Sequence, residues 1–237
     1  QGYGFVAQPG QIPVEGFSNL TWVLLLIPFF VLNIFHPVIV AKVISIVLVA
    51  GGMFLLRRGV KRLGFSFAIG NFVLLLLALN TSFVIWTSSG LENPLYFFLI
   101  TTLFYVLTNE SLSSRQVIAV GVLASLIALT RPDGMLFLLL FPVWQMWRNW
   151  GAWRQILPIL STYVIVVVVL FGGYVMFRMM YFGDVLPNTY YAKESVGLQY
   201  FGQVALLIPV TDFKLVDLVG SAVSLIRMWV LLLTVAL

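Results

Sequence analysis

The chain has 237 residues, of which 61% are hydrophobic and 9% are charged, and its formal net charge is +5. Soluble domains carry about 25% charged residues, so this composition excludes an ordinary water-soluble fold. Backbone groups inside a bilayer have no water to pair with, and helices satisfy them within each segment. The apolar runs are too long for the strands of a β-barrel and lack their alternation of apolar and polar residues. We therefore predict an all-α, polytopic membrane protein. The absence of cysteine excludes disulfides and thiolate metal sites, and the single histidine excludes a multi-histidine metal site.

The first predicted elements are an outward loop over residues 1–21 and a short apolar segment over residues 22–35. The short segment has the length of an interfacial or re-entrant helix rather than a spanning one. Pro28 and the His36-Pro37 pair are expected to separate it from the next helix. We therefore place this segment against the membrane surface.

Seven further apolar runs reach or approach the length of a spanning helix, which is about 17–25 residues. The shorter ones are expected to extend into flanking polar residues at the interface. The runs are 38–56, 65–86, 94–107, 117–130, 135–147, 156–177 and 216–237. The predicted organisation is a single transmembrane domain of about seven spans, with membrane helices within 36–177, an outward loop over 178–214 and a last helix over 215–237.

Basic residues predict how the helices are oriented. Seven cations fall on one side of the alternating topology, with only Glu110 opposing them: Arg57, Arg58, Lys61, Arg62, Arg115, Arg148 and Arg154. By the positive-inside rule this side is cytoplasmic. Because the positive charge divides by membrane side, it does not indicate a nucleic-acid partner.

Four polar motifs then fall together on the extracytoplasmic face. They are PVEGFSN (13–19), SSGLENP (88–94), TRPDG (130–134) and FGDVLPNTYYAK (182–193). Hydropathy and the positions of the basic residues place all four on one side. We therefore expect a water-facing site there.

The two central motifs have structural as well as functional explanations. Arg131 and Asp133 are compatible with a helix break in which the arginine reaches the headgroups. They are equally compatible with a phosphate clamp, in which Asp133 orients the guanidinium or binds a sugar. Asn93 before Pro94 fits a helix N-cap, and that explanation leaves Glu92 unaccounted for unless it is simply solvated.

The first and fourth motifs also have both structural and functional explanations. Asn19 or the serine before it could cap the short helix, but capping does not explain Glu15. Tyr191 and its neighbouring tyrosines could form an interfacial aromatic belt. A belt does not explain the polar residues beside them, which are Asp184, Asn188 and Lys193. Aromatic rings beside acids and amides suit a sugar, because rings cover its apolar face and polar groups bind its hydroxyls.

The four motifs, taken in order, resemble those of the bacterial GT-C-type glycosyltransferases. The resemblance covers residues 8–193 and is to the group related to terminal β-(1→2)-arabinofuranosyltransferases of mycobacterial cell walls. It rests on PGQIPVEGFSNLTWVLLL, SSGLENPLYFFL, LTRPDGMLFLLL and YFGDVLPNTYYAK. Phe17 stands where the group usually has tyrosine. The resemblance implies a GT-C-like bundle in the bacterial inner membrane, with interfacial helices beside the spans.

The resemblance also implies an activity. A sugar would pass from a polyprenyl-phosphate donor to a cell-envelope glycan or lipid acceptor on the extracytoplasmic face. Arg131 would bind the donor phosphate, assisted by Arg178 or Lys193. Sugar hydroxyls would be held, or loops positioned, by Asp133, Asp184 and Asn188. The acceptor side would be lined by Glu15 and Glu92, and Asn19 and Tyr191 complete the predicted substrate-binding set.

The catalytic base is not among these residues. In the resembled group an acidic motif, often Asp-Asp, follows the first membrane helix, and that position would lie upstream of Gln1. We therefore interpret the chain as a fragment that lacks the catalytic aspartate, with Glu15 as the fallback base. A divalent cation is compatible with the carboxylates on this face, although nothing in the sequence requires one.

Two other functions remain open from the sequence. A transporter would place acids or broken helices near the bilayer midplane, whereas the acids here lie in loops. A lipid-linked oligosaccharide polymerase or ligase would share the outward face and the polyprenyl substrate. Such proteins tend to carry a long outward loop with arginine and histidine, and His36 lies outside any such loop.

Overall fold

The computed structural model describes residues 13, 15–109, 111–151 and 153–183. Regular structure in this part of the chain is helical, without a β-strand. The helices are α1 (Leu20–Val31), α2 (Pro37–Arg62), α3 (Phe67–Leu79), α4 (Thr81–Ser88), α5 (Asn93–Leu107), α6 (Ser114–Thr130), α7 (Leu136–Arg148), α8 (Trp153–Val167) and α9 (Gly173–Phe182). The all-α prediction is thus confirmed for the described residues, whereas the predicted helix over 215–237 lies outside them.

Among the described residues, two helical stretches are long and apolar enough to cross a membrane, namely Val38–Arg62 and Arg154–Phe182. The second stretch runs through a π-helical turn, Val168–Gly172, that joins α8 to α9 without interruption. It continues beyond the predicted end at residue 177, so Arg178 lies in α9 rather than in a loop. Length and composition therefore support a membrane-embedded protein.

The prediction of one helix over residues 65–86 is wrong, because this run forms two helices. The pair α3 and α4 is bent by 70° and would add a third crossing only if counted as one span. The break falls at Asn80, whose backbone is extended and whose side chain accepts a hydrogen bond from the N–H of Phe83. A polar N-cap in the middle of an apolar run starts a new helix and turns the chain.

The short first helix also differs in its bounds from the prediction over residues 22–35. It begins at Leu20, continues through Pro28 and ends at Val31. The chain then turns at Asn33, which has a positive φ of 56°. Pro37 occupies the first turn of α2, where its missing N–H carries no cost.

Helix α2 runs parallel to α5 at close range. A Cβ on Gly52 would lie 2.6 Å from Phe97, and one on Gly59 would lie 2.5 Å from Phe104. The helices can therefore approach only because these positions carry no side chain. On the far side of α5 lies α6, which packs against α5, α7 and α8 and supplies the fully buried centre of the core at Val120, Ala124 and Ile127.

The alternating direction of the helices separates the acidic motifs from most of the basic residues. Helices α5 and α6 are antiparallel, so the start of α5 meets the end of α6, where the GLENP and TRPDG motifs lie. At the other end of α5, Arg62 donates to the carbonyl of Tyr105 at 3.5 Å and to Oδ1 of Asn109 at 3.3 Å. The two kinds of charge therefore lie at opposite ends of the same helix, which agrees with the separation predicted from the sequence.

Candidate functional site

The TRPDG motif places its charged side chains through a short 3-10 turn, Pro132–Met135, that joins α6 to α7. Gly134 lies directly on the end of α6. A Cβ there would be 2.3 Å from the carbonyl oxygen of Ile127, and backbone cannot yield as a side-chain tip can. Glycine is therefore required at this point for the turn to lie flat on α6 and to present Arg131 and Asp133 at the helix end.

Arg131 is the centre of a polar cluster. Its Nε lies 3.0 Å from Oδ1 of Asp133, and its Nη1 lies 3.4 Å from Oε1 of Glu92. The same Nη1 donates to Oδ1 of Asn93 at 2.9 Å. The guanidinium carbon lies 5.6 Å from the ring centroid of Tyr96, whose hydroxyl donates to Asp133 at 3.5 Å. These contacts hold the guanidinium in one orientation. Nη2 of Arg131 makes no hydrogen bond to the residues that the structure describes.

The first motif joins this cluster through an amide. Asn19 donates from Nδ2 to Oε2 of Glu92 at 3.1 Å, and Thr21 donates to the carbonyl of Leu126 at 3.1 Å. Glu92 is thereby held from two sides, since Arg131 contacts its other oxygen. Three of the four predicted motifs therefore meet at one carboxylate.

Asn19 and Asn93 lie at helix starts, but neither side chain has the capping role that the sequence suggests. Asn19 occupies the N-cap position of α1, but its side chain makes no capping hydrogen bond and goes to Glu92 instead. Asn93 is the first residue of α5, and the N-cap position belongs to Glu92. The interpretation of Asn93 as the N-cap is therefore wrong, and its side chain belongs to the polar cluster.

A second cluster is nearly removed from solvent. Glu15 and Arg178 retain 3% and 10% of their side-chain exposure, and the Nε–Oε2 distance is 2.7 Å. The contact between Nε of Arg178 and Oε2 of Glu15 is an ion pair that lacks the geometry of a hydrogen bond. The hydrogen bond between these residues runs from Nη2 of Arg178 to Oε1 of Glu15, at 3.1 Å. The hydroxyl of Tyr174 donates to the same Oε1. The first motif is thereby fixed to α9, which leads into the fourth motif.

Six predicted site residues are therefore brought together at one end of the bundle in two clusters: Glu15, Asn19, Glu92, Arg131, Asp133 and Arg178. Arg178 is engaged with Glu15 rather than placed beside Arg131. The remaining four lie outside the described residues: Asp184, Asn188, Tyr191 and Lys193.

A cavity of about 520 Å³ opens beside Arg131. Its polar lining includes Asn93, Tyr96 and Arg131, and its apolar lining comes from α4 and α5, through Phe83, Trp86, Phe97 and Ile100. A held guanidinium at one edge of an apolar wall suits a ligand that has an anionic group beside a hydrophobic part.

The sequence reasoning missed three members of these clusters, namely Asn93, Tyr96 and Tyr174. Their spacing along the helices could have identified each of these residues. Asn93 and Tyr96 are three residues apart at the start of α5, and Tyr174 lies four residues before Arg178, so each pair shares a helix face. An acid or arginine at a helix end therefore marks its helical neighbours as candidates for the same site.

The described residues were also considered for the side chains that could hold a metal ion. No group of three histidine, cysteine, aspartate or glutamate side chains that could hold an ion occurs among them. Glu92 and Asp133 both direct an oxygen at Arg131, which supplies the positive charge at this point.

The chain was compared with known protein families, curated proteins and solved structures. None of them matches it significantly. The resemblance to the GT-C-type glycosyltransferases therefore rests on the ordered sequence motifs alone.

Proposed function

We propose that the protein is an integral membrane glycosyltransferase with a GT-C-like bundle of about seven spans. It would move a sugar from a polyprenyl-phosphate donor to a cell-envelope glycan or lipid acceptor at the extracytoplasmic face of a bacterial inner membrane. The observation that carries this proposal is the convergence of three separate motifs on the carboxylate of Glu92, which holds Arg131 beside a cavity with an apolar wall.

Arg131 is the proposed phosphate ligand. Glu92, Asn93 and Asp133 hold its Nε and Nη1, and its Nη2 remains for a ligand oxygen. A guanidinium fixed before the substrate arrives stabilises developing negative charge without having to reorganise. The apolar wall formed by Trp86 and Phe97 would accept the first part of the prenyl chain.

The reaction would be a displacement at the anomeric carbon. The acceptor hydroxyl oxygen forms a bond to that carbon, and the bond from the carbon to the phosphate oxygen breaks. The hydroxyl proton passes to a carboxylate base, and the prenyl phosphate departs as an anion. Because phosphate is stable as an anion, no strong general acid is required.

The buried cluster favours a supporting role for Glu15. Its carboxylate is nearly enclosed, and both of its oxygens are taken up by contacts with Arg178 and Tyr174. We therefore assign the base to a carboxylate outside the described residues. Asp184, Asn188 and Lys193 would contact the sugar and phosphate from the fourth motif, with Tyr191 stacking on the sugar.

The test is an assay of transfer in membranes that contain the protein expressed from its complete gene. A radiolabelled polyprenyl-phosphate sugar is supplied with envelope glycan, and the labelled product is measured. We expect Arg131→Ala to reduce the rate by a factor of about 100 or more, as for loss of one preorganised donor. Arg148→Ala, at the opposite end of the bundle, is the matched control and should keep the parent rate.

Unchanged transfer in Arg131→Ala would refute the phosphate role. Absence of transfer in the parent protein, together with counterflow of a labelled solute in proteoliposomes free of lipid-linked sugar, would establish a transporter instead. Products of many added units rather than single additions would indicate a polymerase.

A further inference from the structure

A second cavity lies at the opposite end of the bundle, where α2 turns into α3. Its volume is about 380 Å³. Three cations line it, Arg57, Arg58 and Lys61, and they share it with the rings of Phe54, Phe65 and Phe67. It lies far from the acidic motifs along α2, so the proposed transfer reaction does not account for it.

Two of the three cations are held in place by aromatic rings rather than by acids. The guanidinium carbon of Arg57 lies 4.2 Å from the ring centroid of Phe67, and that of Arg58 lies 4.6 Å from the ring of Phe54. Lys61 is one helical turn after Arg57 and so shares its face of α2. In the described part of the chain the ion pairs involve other residues, and no carboxylate neutralises these three cations. The cavity therefore has a positive potential that favours an anion.

The start of α3 adds to this potential. Ser66 is the N-cap of this 13-residue helix, and its side chain accepts a hydrogen bond from the N–H of Ile69. Ser66 and Phe67 both line the cavity. The partial positive charge of a helix N-terminus therefore faces the same space as the cations, and this arrangement favours phosphate.

The rings indicate what accompanies the anion. Phe54, Phe65 and Phe67 are 55%, 51% and 67% exposed, so apolar surface continues from the cavity outward. A soluble anion would make no use of that surface, whereas the glycerol and acyl parts of a lipid would cover it. The positive-inside rule requires only that cations lie on one side, and it does not account for three of them lining one cavity.

We propose that this cavity binds the phosphate group of an anionic phospholipid. The cations and the start of α3 take the phosphate oxygens, and the phenylalanine rings take the adjoining glycerol and acyl chains. The proposal does not depend on glycosyl transfer, because it uses none of the residues at the other end of the bundle. It depends only on the protein lying in a membrane.

The test is native mass spectrometry of the purified full chain in detergent with equimolar phosphatidylglycerol and phosphatidylcholine. The parent protein should retain phosphatidylglycerol in preference to phosphatidylcholine by a factor of about ten or more. Arg57→Gln with Lys61→Gln should abolish the preference. Arg148→Gln, which removes a cation at the end of α7, is the matched control and should preserve it. Arg58→Gln gives the same comparison if the double variant does not fold.

Equal retention of the two lipids by the parent protein would overturn the proposal. An equal loss of preference in Arg148→Gln would also overturn it, because the effect would then be one of total charge. In a lipid-free arm, inorganic phosphate is added and the thermal midpoint is measured. If phosphate stabilises the parent but not the double variant, and phosphatidylglycerol supplied in its place stabilises neither, the ligand is the soluble anion and the lipid proposal is overturned.

Discussion

Glu15 is a charged residue that the fold keeps 3% exposed, at a cost that only its partners offset. Taking a carboxylate and a guanidinium out of water is expensive, and their contact at 2.7 Å repays much of it. Removing one partner is therefore worse than removing both. The buried pair thus determines how firmly the first motif is attached to α9.

We predict that Glu15→Gln lowers the free energy of unfolding by about 3–5 kcal/mol, because the buried guanidinium of Arg178 loses the carboxylate that lies 2.7 Å from it. The measurement is thermal unfolding in detergent. Adding Arg178→Met to that variant should recover a large part of the loss. Glu92→Gln is the control and should cost less, because Arg131 keeps Asp133 and is 35% exposed. A double variant no more stable than Glu15→Gln would argue against the uncompensated charge as the cause.

A second prediction concerns the space available at Gly134. A methyl group there would lie 2.3 Å from the backbone oxygen of Ile127, so Gly134→Ala must push the 3-10 turn off α6. We expect a loss of about 1–3 kcal/mol, as for other overpacked positions. The proposed glycosyl transfer should fall with it, because Arg131 and Asp133 move with the turn. Gly173→Ala, where a Cβ meets nothing within 4 Å, should leave both stability and transfer close to the parent values.

The sequence alone predicted that Glu92 and Arg131 lie at the same end of the helices but not that they touch. Hydropathy placed Glu92 and Arg131 on the same side, because it counts helices between them. Their contact joins residues that are 39 positions apart and depends on how closely α5 and α6 pack. Local rules also misassigned Asn93, because a cap and a distant arginine compete for the same side chain, and the distant contact prevailed.

At the scale of helices, the contact between α2 and α5 connects packing to the cavity. Gly52 of α2 faces Phe97, and Phe97 also lines the cavity beside Arg131. A side chain added on α2 would therefore reach the site through one ring. Helix packing and site geometry are expected to change together.

We predict that Gly52→Leu lowers the free energy of unfolding by about 1–3 kcal/mol, because even its Cβ would lie 2.6 Å from Phe97. Phe97→Ala in the same chain should relieve the clash, so the two substitutions together should cost less than the sum of each alone. A double-mutant cycle on thermal unfolding measures this coupling. Strictly additive losses would mean that α2 and α5 do not meet at this pair.

Helix length is where sequence patterns were least informative. The runs over 65–86 and 156–177 look alike by hydropathy, yet one bends by 70° and the other continues as a helix to Phe182. Asn80 accounts for the difference, because its side chain accepts a hydrogen bond from the N–H of Phe83 and so caps a new helix that begins at Thr81. Pro158 lies inside α8 and does not end it, although proline is the stronger helix breaker in isolation. Neighbouring helices and polar caps therefore decide outcomes that composition leaves open.

For the molecule as a whole, the number of membrane crossings depends on short helices such as α5. Helix α5 has 15 residues and is about 22 Å long at 1.5 Å per residue, which is short for a hydrocarbon core of about 30 Å. Its two ends nevertheless carry opposite kinds of charge, with Glu92 at its start and Arg62 beside its end. We infer that α5 crosses, with polar residues or a locally thinner bilayer completing its length.

Single cysteines test both the crossing and its direction, without background, because the chain has no cysteine of its own. Ser88→Cys and Ser111→Cys lie in exposed positions before and after α5. In bacterial spheroplasts treated with a membrane-impermeant maleimide, Ser88→Cys should label at once and Ser111→Cys only after permeabilisation. Labelling of both from outside would mean that α5 does not cross. The reversed pattern would place the Arg131 site in the cytoplasm, where the proposed extracytoplasmic transfer could not occur.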